Sequence, residues 1–341
     1  MKRQSNFRVT VVLALGLIAL ITGAAAPAQQ PTPQKPADDQ DVDVIKVSTT
    51  VVTVPVSVMD RNGRFVPGLE QDQFHLFEDG VEQRIAFFEN AEQPFTIALM
   101  LDVSDSTKEK LAQIKSAATE FVNELKENDR VMVMVFDKNV TVLCDPTSDR
   151  RLATLAIGKL KAGGGTSLYD AVDLMAVRQL KKIRGRKAIV LFTDGVDTTS
   201  TGATYESTLR AAEELDALIY SIQYNTYSDV ARSQTSSMAS GEMGNQVVTS
   251  RGEPLSVAYK RAGEYLQALS DKTAGRFYYA AGLNYLKGIF SRIAAELREQ
   301  YSLGYYPSSK SEDKRKREVR IRVNLPNLAL RYRRTYIYAP R

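Results

Sequence analysis

Five short apolar runs most constrain what this chain can fold into. They are "FTIALML" (Phe95–Leu101), "DRVMVMVF" (Asp129–Phe136), "KAIVLFT" (Lys187–Thr193), "LIYSIQY" (Leu218–Tyr224) and "RFYYA" (Arg276–Ala280). Each is continuous rather than alternating, which marks a strand covered on both faces. Between them, apolar residues recur at helical spacing. Leu111, Ile114, Ala118, Phe121, Val122 and Leu125 form one such face. Further helices are expected from about Ser167 to Lys182, through "YESTLRAAEELDA", and near Ala258–Lys272. Strands alternating with helices predict an α/β fold with a doubly wound, mostly parallel, Rossmann-like sheet. "VTVLC" (Val140–Cys144) predicts an antiparallel hairpin strand at its edge.

The flanks have a different rhythm. From Ile45, "VIKVSTTVVTVPVSVMD" alternates β-branched residues up to an Asn62-Gly63 turn, and Asp79-Gly80 separates two further short strands. Residues 45–92 therefore predict a small β unit. After residue 300 the pattern returns in "EQYSLGYYP", "REVRIRVNL" and "LALRYRRTYIY". Neither piece alone has enough strands to bury a face, so residues 301–341 are expected to complete the N-terminal unit. The charged "SSKSEDKRKRE" between two of these strands reads as a solvated hairpin tip, and Tyr278, Tyr279, Tyr305 and Tyr306 as core or edge residues.

The N-terminus is a separate object. Lys2, Arg3 and Arg8 flank a short apolar run, Val9–Ile21, followed by small residues with A-x-A sites at Ala24–Ala26 and Ala26–Ala28. That pattern predicts a signal peptide over residues 1–28, export to the periplasm or the exterior, and no membrane span after cleavage. The alternative is an uncleaved anchor, for which the run is short against the ~20 residues a span needs. Residues 29–44, rich in Pro, Gln and Asp, read as a flexible linker. Removing Lys2, Arg3 and Arg8 lowers the net charge from +5 to +2, so the basic balance does not point to nucleic acid. Cys144 is the only cysteine, which excludes an intrachain disulfide. Residues 225–254, rich in Ser, Thr, Gly and Met, lack a sustained period and read as a long mobile loop within the α/β region.

Ligands of open parallel sheets sit outside the carboxyl ends of the strands, and three polar clusters fall there. Asp102-x-Ser104-x-Ser106 follows the first strand, Thr166 stands in the glycine-rich "GGGTSLYD", and Asp194 opens "DGVD" past the third. Oxygen donors without His or Cys suit a hard divalent cation such as Mg²⁺, Ca²⁺ or Mn²⁺. Ser106 or Thr107 could also cap the following helix. Two carboxylates and three hydroxyls leave such an ion under-neutralised, so the site calls for an external anionic group.

These residues resemble a von Willebrand factor type A domain with a metal-ion-dependent adhesion site. The family's D-x-S-x-S corresponds to Asp102, Ser104 and Ser106, its loop threonine to Thr166, and its second aspartate to Asp194; the pattern spans about residues 94–300. The resemblance implies that Ser104, Ser106 and Thr166 hold metal directly, with Asp102 and Asp194 often acting through water. It also implies a protein partner that presents a carboxylate, as in cell adhesion. The flanks are similar to exported bacterial von Willebrand factor A-related proteins. Asp105 departs from the pattern, standing where the family commonly has Gly, and could stiffen the loop or repel an acidic partner.

Enzyme chemistry finds less support. His75 is the only histidine and lies in the β unit, there is no G-x-S-x-G elbow, and the glycine-rich loop lacks a phosphate-loop Lys. The sequence thus predicts a non-catalytic, metal-dependent binding module. The rivals are an envelope assembly component in which the metal only stabilises the fold and, behind it, a metal-dependent hydrolase.

Overall fold

The computed structural model describes residues 51–337 except 91–92, 225, 228–229, 232–247, 250, 283–284 and 309–315. The expected signal peptide, the linker, most of the 225–254 loop and residues 309–315 of the charged hairpin tip lie outside the described residues. The solvated tip is shorter than expected: Lys316, Arg317 and Glu318 already belong to a strand, and Arg317 is fully buried because it pairs with Glu78. Strands β1 (Val52–Met59), β2 (Phe74–Glu78), β3 (Val81–Gln83) and β4 (Ile85–Glu89) come first. The α/β layer follows with β5 (Phe95–Asp102), β6 (Arg130–Phe136), β7 (Val140–Thr147), β8 (Arg186–Thr193), β9 (Leu218–Tyr224) and β10 (Arg276–Ala280). Its helices are α1 (Leu111–Glu124), α2 (Arg150–Gly158), α3 (Leu168–Asp173), α4 (Tyr205–Glu214), α5 (Leu255–Lys272) and α6 (Leu286–Arg298). Strands β11 (Gln300–Tyr305), β12 (Lys316–Val323), β13 (Ala329–Tyr332) and β14 (Thr335–Ile337) close the chain.

The apolar runs form a six-stranded sheet in the order β10-β9-β8-β5-β6-β7. All neighbours are parallel except β7, which pairs antiparallel with β6 at the edge. Strand β5 is buried along its whole length, and its Leu99 faces Val133 on one side and Val190 on the other. Its odd residues (Ile97, Leu99, Leu101) pack with α1, α2 and α6, whereas Ala98 and Met100 pack with α3, α4 and α5. That division explains the unbroken hydrophobicity of the strand: both faces carry helices. The chain leaves β5 toward one face and β8 toward the other, so a crevice opens at their carboxyl ends.

The helix expected over 167–182 changes type midway. α3 gives way to a π-helical turn at Leu174–Gln179 and a 3₁₀ turn at Leu180–Lys182. Met175, Ala176 and Leu180 from this stretch are buried together against the sheet.

The two ends of the chain build an antiparallel β-sandwich, with sheet orders β13-β1-β11-β4 and β14-β12-β2-β3. Val54, Val56, Leu303 and Tyr301 meet Phe74, Leu76, Val319 and Ile321 in its core. A buried charge pair crosses it: Arg317 Nη1 lies 2.6 Å from Glu78 Oε1, with Arg317 0% and Glu78 2% exposed. The Tyr305 hydroxyl from the opposite sheet donates to Glu78 Oε2 at 2.6 Å. The sandwich is tied to the α/β layer by polar contacts. Arg333 Nη1 donates to Leu215 O at 2.7 Å, and Arg331 joins Arg276 at the buried Glu296. Tyr305 is fully buried, Tyr278 half-buried, and Tyr279 and Tyr306 are exposed. Among the described residues, no helix is long and apolar enough to cross a membrane.

Candidate metal site

Asp102 ends β5 and is fully buried. Its Oδ1 accepts the Ser104 N–H at 3.0 Å, which turns the chain out of the strand, and its Oδ2 accepts the Thr193 hydroxyl at 2.6 Å. Both carboxylate oxygens are thus engaged from within. Burial first, and the charge of Asp194 second, push the Asp102 carboxyl well above the ordinary range.

Ser104 occupies the N-cap position of a short 3₁₀ segment, Asp105–Lys110, yet makes no side-chain cap bond. Its hydroxyl stands 3.1 Å from that of Ser106. Neither Ser106 nor Thr107 caps α1, whose N-cap position is Lys110 and carries no side-chain cap bond. Thr107 turns back instead, donating its hydroxyl to Ser104 O at 2.7 Å, which fixes the loop. Ser106 donates to Asp194 Oδ2 at 2.8 Å, so two clusters 88 positions apart in sequence are in contact.

Thr166 is positioned by its glycines. The Gly163 N–H donates to Val103 O at 2.7 Å, and a side chain at Gly163 would put its Cβ 1.7 Å from Asp137 Oδ2. Gly165 has φ +70°, and a Cβ there would lie 2.6 Å from Thr199 Cγ2. The Thr166 N–H donates to Thr198 Oγ1 at 2.8 Å, and its carbonyl accepts the Thr198 and Thr199 N–H groups. Its hydroxyl has no hydrogen bond among the described residues, although Thr166 is only 4% exposed.

Ser104, Ser106, Thr166 and Asp194 line one cleft of about 600 Å³, with Asp102 buried behind them. Asp105 is exposed on the rim with Lys108, Glu109 and Lys110, and a Cβ at Gly164 would sit 3.5 Å from its Oδ2. Two residues escaped the sequence reading. Thr226 donates to Asp194 Oδ2 at 2.7 Å, and the Tyr259 hydroxyl, itself bonded to Thr226, reaches the same oxygen at 3.4 Å. Thr226 lies in the aperiodic stretch and carried no signal. Tyr259 sits on α5, where its spacing reads as helix core.

The donor set fits a hard cation. It offers three hydroxyls and two carboxylates, and no nitrogen or sulfur. Among the described residues no three His, Cys, Asp or Glu side chains cluster for a metal, so the hydroxyls would be ligands rather than accessories. A cation there would also relieve the repulsion between Asp102 and Asp194 and give the Thr166 hydroxyl a partner. His75 stands apart from this cleft. Its Nδ1 is 2.7 Å from Glu82 and its Nε2 2.9 Å from Asn324, on the β-sandwich.

Comparisons with known proteins bear on the same region. An uncharacterized protein of Synechocystis sp. is 34% identical over 106 residues, covering 30% of this chain and 25% of that protein. A UPF0353 protein of Mycobacterium avium is 23% identical over 220 residues, 59% of this chain and 60% of its own length. The chain therefore spans between a quarter and three fifths of these curated relatives. Among solved structures, a von Willebrand factor type A protein from Catenulispora acidiphila superposes with a TM-score of 0.46 at 11% identity, covering 85% of this chain and 74% of that one. Proximal thread matrix protein 1 from the mussel byssus, with a zinc-occupied MIDAS motif, gives 0.47 at 13% identity, over 65% and 50%. Residues 97–196, a span that includes Asp102, Ser104, Ser106, Thr166 and Asp194, match the family model of the von Willebrand factor type A domain.

Proposed function

We propose that this protein is an exported, non-catalytic binding module that holds a divalent cation, with Mg²⁺ favoured, and engages an acidic group of a protein partner through it. The observation that carries the reading is the convergence of Ser104, Ser106, Thr166 and Asp194 on one cleft in front of the buried Asp102. A bound cation would supply Lewis acidity toward an external carboxylate. The chain's own residues do the rest. Ser106 donates a hydrogen bond to Asp194 and so can only accept from Ser104, which leaves one lone pair of Ser106 for a cation. Thr193 and the Ser104 N–H hold Asp102 in place. The basic, apolar N-terminus supports export, and the match over residues 97–196 supports an interaction module rather than a hydrolase.

One observation favours a second reading, in which the ion only stabilises the fold of an envelope assembly component. Asp194 Oδ2 already accepts from Ser106 and Thr226, with Tyr259 bonded to Thr226 behind them, so an ion there would lock separate parts of the chain together. Calorimetric titration of Mg²⁺, Mn²⁺ and Ca²⁺ into metal-stripped protein, beside Asp194→Ala, tests the site. Saturable binding lost in the variant is expected; no binding refutes the site. If chelation lowers the Tm steeply but leaves partner capture from an envelope extract unchanged, the stabilising reading replaces the binding one.

A further inference from the structure

The candidate cleft is larger than its oxygen floor requires. At about 600 Å³ it falls within the ~300–1,000 Å³ of small-ligand sites. Its lining is divided. Beside the oxygen donors the lining turns apolar, at Val196, Val230, Leu255 and Tyr259.

Two residues of that apolar wall, Val196 and Tyr259, belong to a small apolar cluster of their own. Val196, Ala258 and Ala262 are buried together with Tyr259 against them, separate from the two cores that flank the sheet. The same turn fixes wall and floor, because the Val196 N–H donates to Asp194 Oδ1 at 3.0 Å. Tyr259 joins them from α5, its hydroxyl 3.4 Å from Asp194 Oδ2 and its ring edge-on to Tyr227, centroids 5.6 Å apart. On the rim, Asp105 and Glu109 are balanced in formal charge by Lys108 and Lys110, so the rim does not by itself select an acidic or a basic ligand. Selection falls to the floor and the wall together.

We propose that the cleft recognises an acidic group carried beside an aliphatic one: the carboxylate is taken at the oxygen floor while the aliphatic side chain covers the wall of Val196, Val230, Leu255 and Tyr259. The inference rests on the metal-binding reading above and adds a second determinant to it. A partner segment with an acidic residue next to Leu, Ile or Val fits this cleft; an acidic residue among polar neighbours fills only half of it. Burying one methylene fully is worth about fourfold in affinity, so the wall has a measurable signature.

The test uses the full chain in one calorimetric series. Mg²⁺ is titrated into metal-stripped protein, and then acetate, butyrate and 4-methylpentanoate into the Mg²⁺-loaded protein. Affinity should climb along the series by roughly two- to fourfold per methylene, disappear in EDTA, and lose its chain-length dependence in Val230→Ser with Mg²⁺ affinity unchanged. Equal affinity for acetate and 4-methylpentanoate in the Mg²⁺-loaded protein overturns this proposal alone. So does a series that persists undiminished in EDTA, or one whose slope is unaltered by Val230→Ser. Absence of Mg²⁺ binding overturns the metal-site reading first and this proposal with it.

Discussion

Replacing Asp102 by Asn should stabilise the metal-free protein at pH 8 and make it insensitive to added cation. In the folded, metal-free chain, burial and then the Asp194 charge push the Asp102 carboxyl up to about 7, whereas the unfolded chain titrates near 3.8. Between those values the folded state holds a proton that the unfolded state has lost. Stability therefore falls as pH rises through that window and stays low above it. At 1.36 kcal/mol per tenfold, the penalty at pH 8 is of the order of 4 kcal/mol. Asn keeps only part of the hydrogen bonding from the Ser104 N–H and the Thr193 hydroxyl, which costs about 1 kcal/mol. The net gain of a few kcal/mol corresponds to about 5–10 °C in Tm for a domain of this size. Thermal melts of wild type and Asp102→Asn in EDTA, at pH 5 and pH 8, measure it. The variant should melt higher at pH 8 and close to wild type at pH 5, where the wild-type carboxyl is neutral. Saturating Mg²⁺ at pH 8 should raise the wild-type Tm and leave the variant unmoved. A variant that melts below wild type at pH 8, or a difference that does not change with pH, would refute the reasoning.

Other residues make sharper local tests. Gly165→Ala forces a φ of +70° on an L-residue and a Cβ against Thr199; it should cost about 1–2 kcal/mol in urea unfolding and weaken Mg²⁺ binding. Thr226→Val removes one of the two close hydroxyl donors, Ser106 and Thr226, to Asp194 Oδ2. Mg²⁺ affinity by calorimetry should fall by about tenfold or more, one lost hydrogen bond to a charge. Arg317→Met leaves Glu78 buried without its cation and should destabilise the sandwich by about 3–5 kcal/mol, whereas pairing it with Glu78→Leu should recover most of that loss in chemical denaturation.

Much of the fold was legible because its signals are local. Strand β5 reads as a doubly covered strand from Phe95–Leu101 alone, since every side chain there meets a helix layer. That the two strand-rich ends join was expected because neither alone could bury a face; which strands pair, β1 with β11, was not read. Helix α6 went unread although Leu286, Ile289, Phe290, Ile293 and Leu297 recur at helical spacing; the signal was there. α2 had a blurred one, because Leu152 and Leu155 are exposed and break the apolar stripe. The π turn at Leu174–Gln179 left no mark, because its buried residues Met175 and Ala176 fit an α-helical face equally well. In the cleft, Ser104, Ser106, Thr166 and Asp194 were found because each follows a strand or a glycine run. The hydrogen bonds from Thr226 and Tyr259 to Asp194 join residues 32 and 65 positions away and left no mark on local composition.

The proposed function requires a divalent cation in front of Asp102, held by the Ser104, Ser106 and Thr166 hydroxyls. Anomalous diffraction from a crystal of the protein grown with Mn²⁺ tests it most directly, because Mn²⁺ stands in for Mg²⁺ and its signal marks the ion's position. A single strong peak bounded by those three hydroxyls, with Asp194 alongside, is the expected result. A peak elsewhere on the molecule, or a cleft without one beside ordered Ser104, Ser106 and Thr166, would contradict the account.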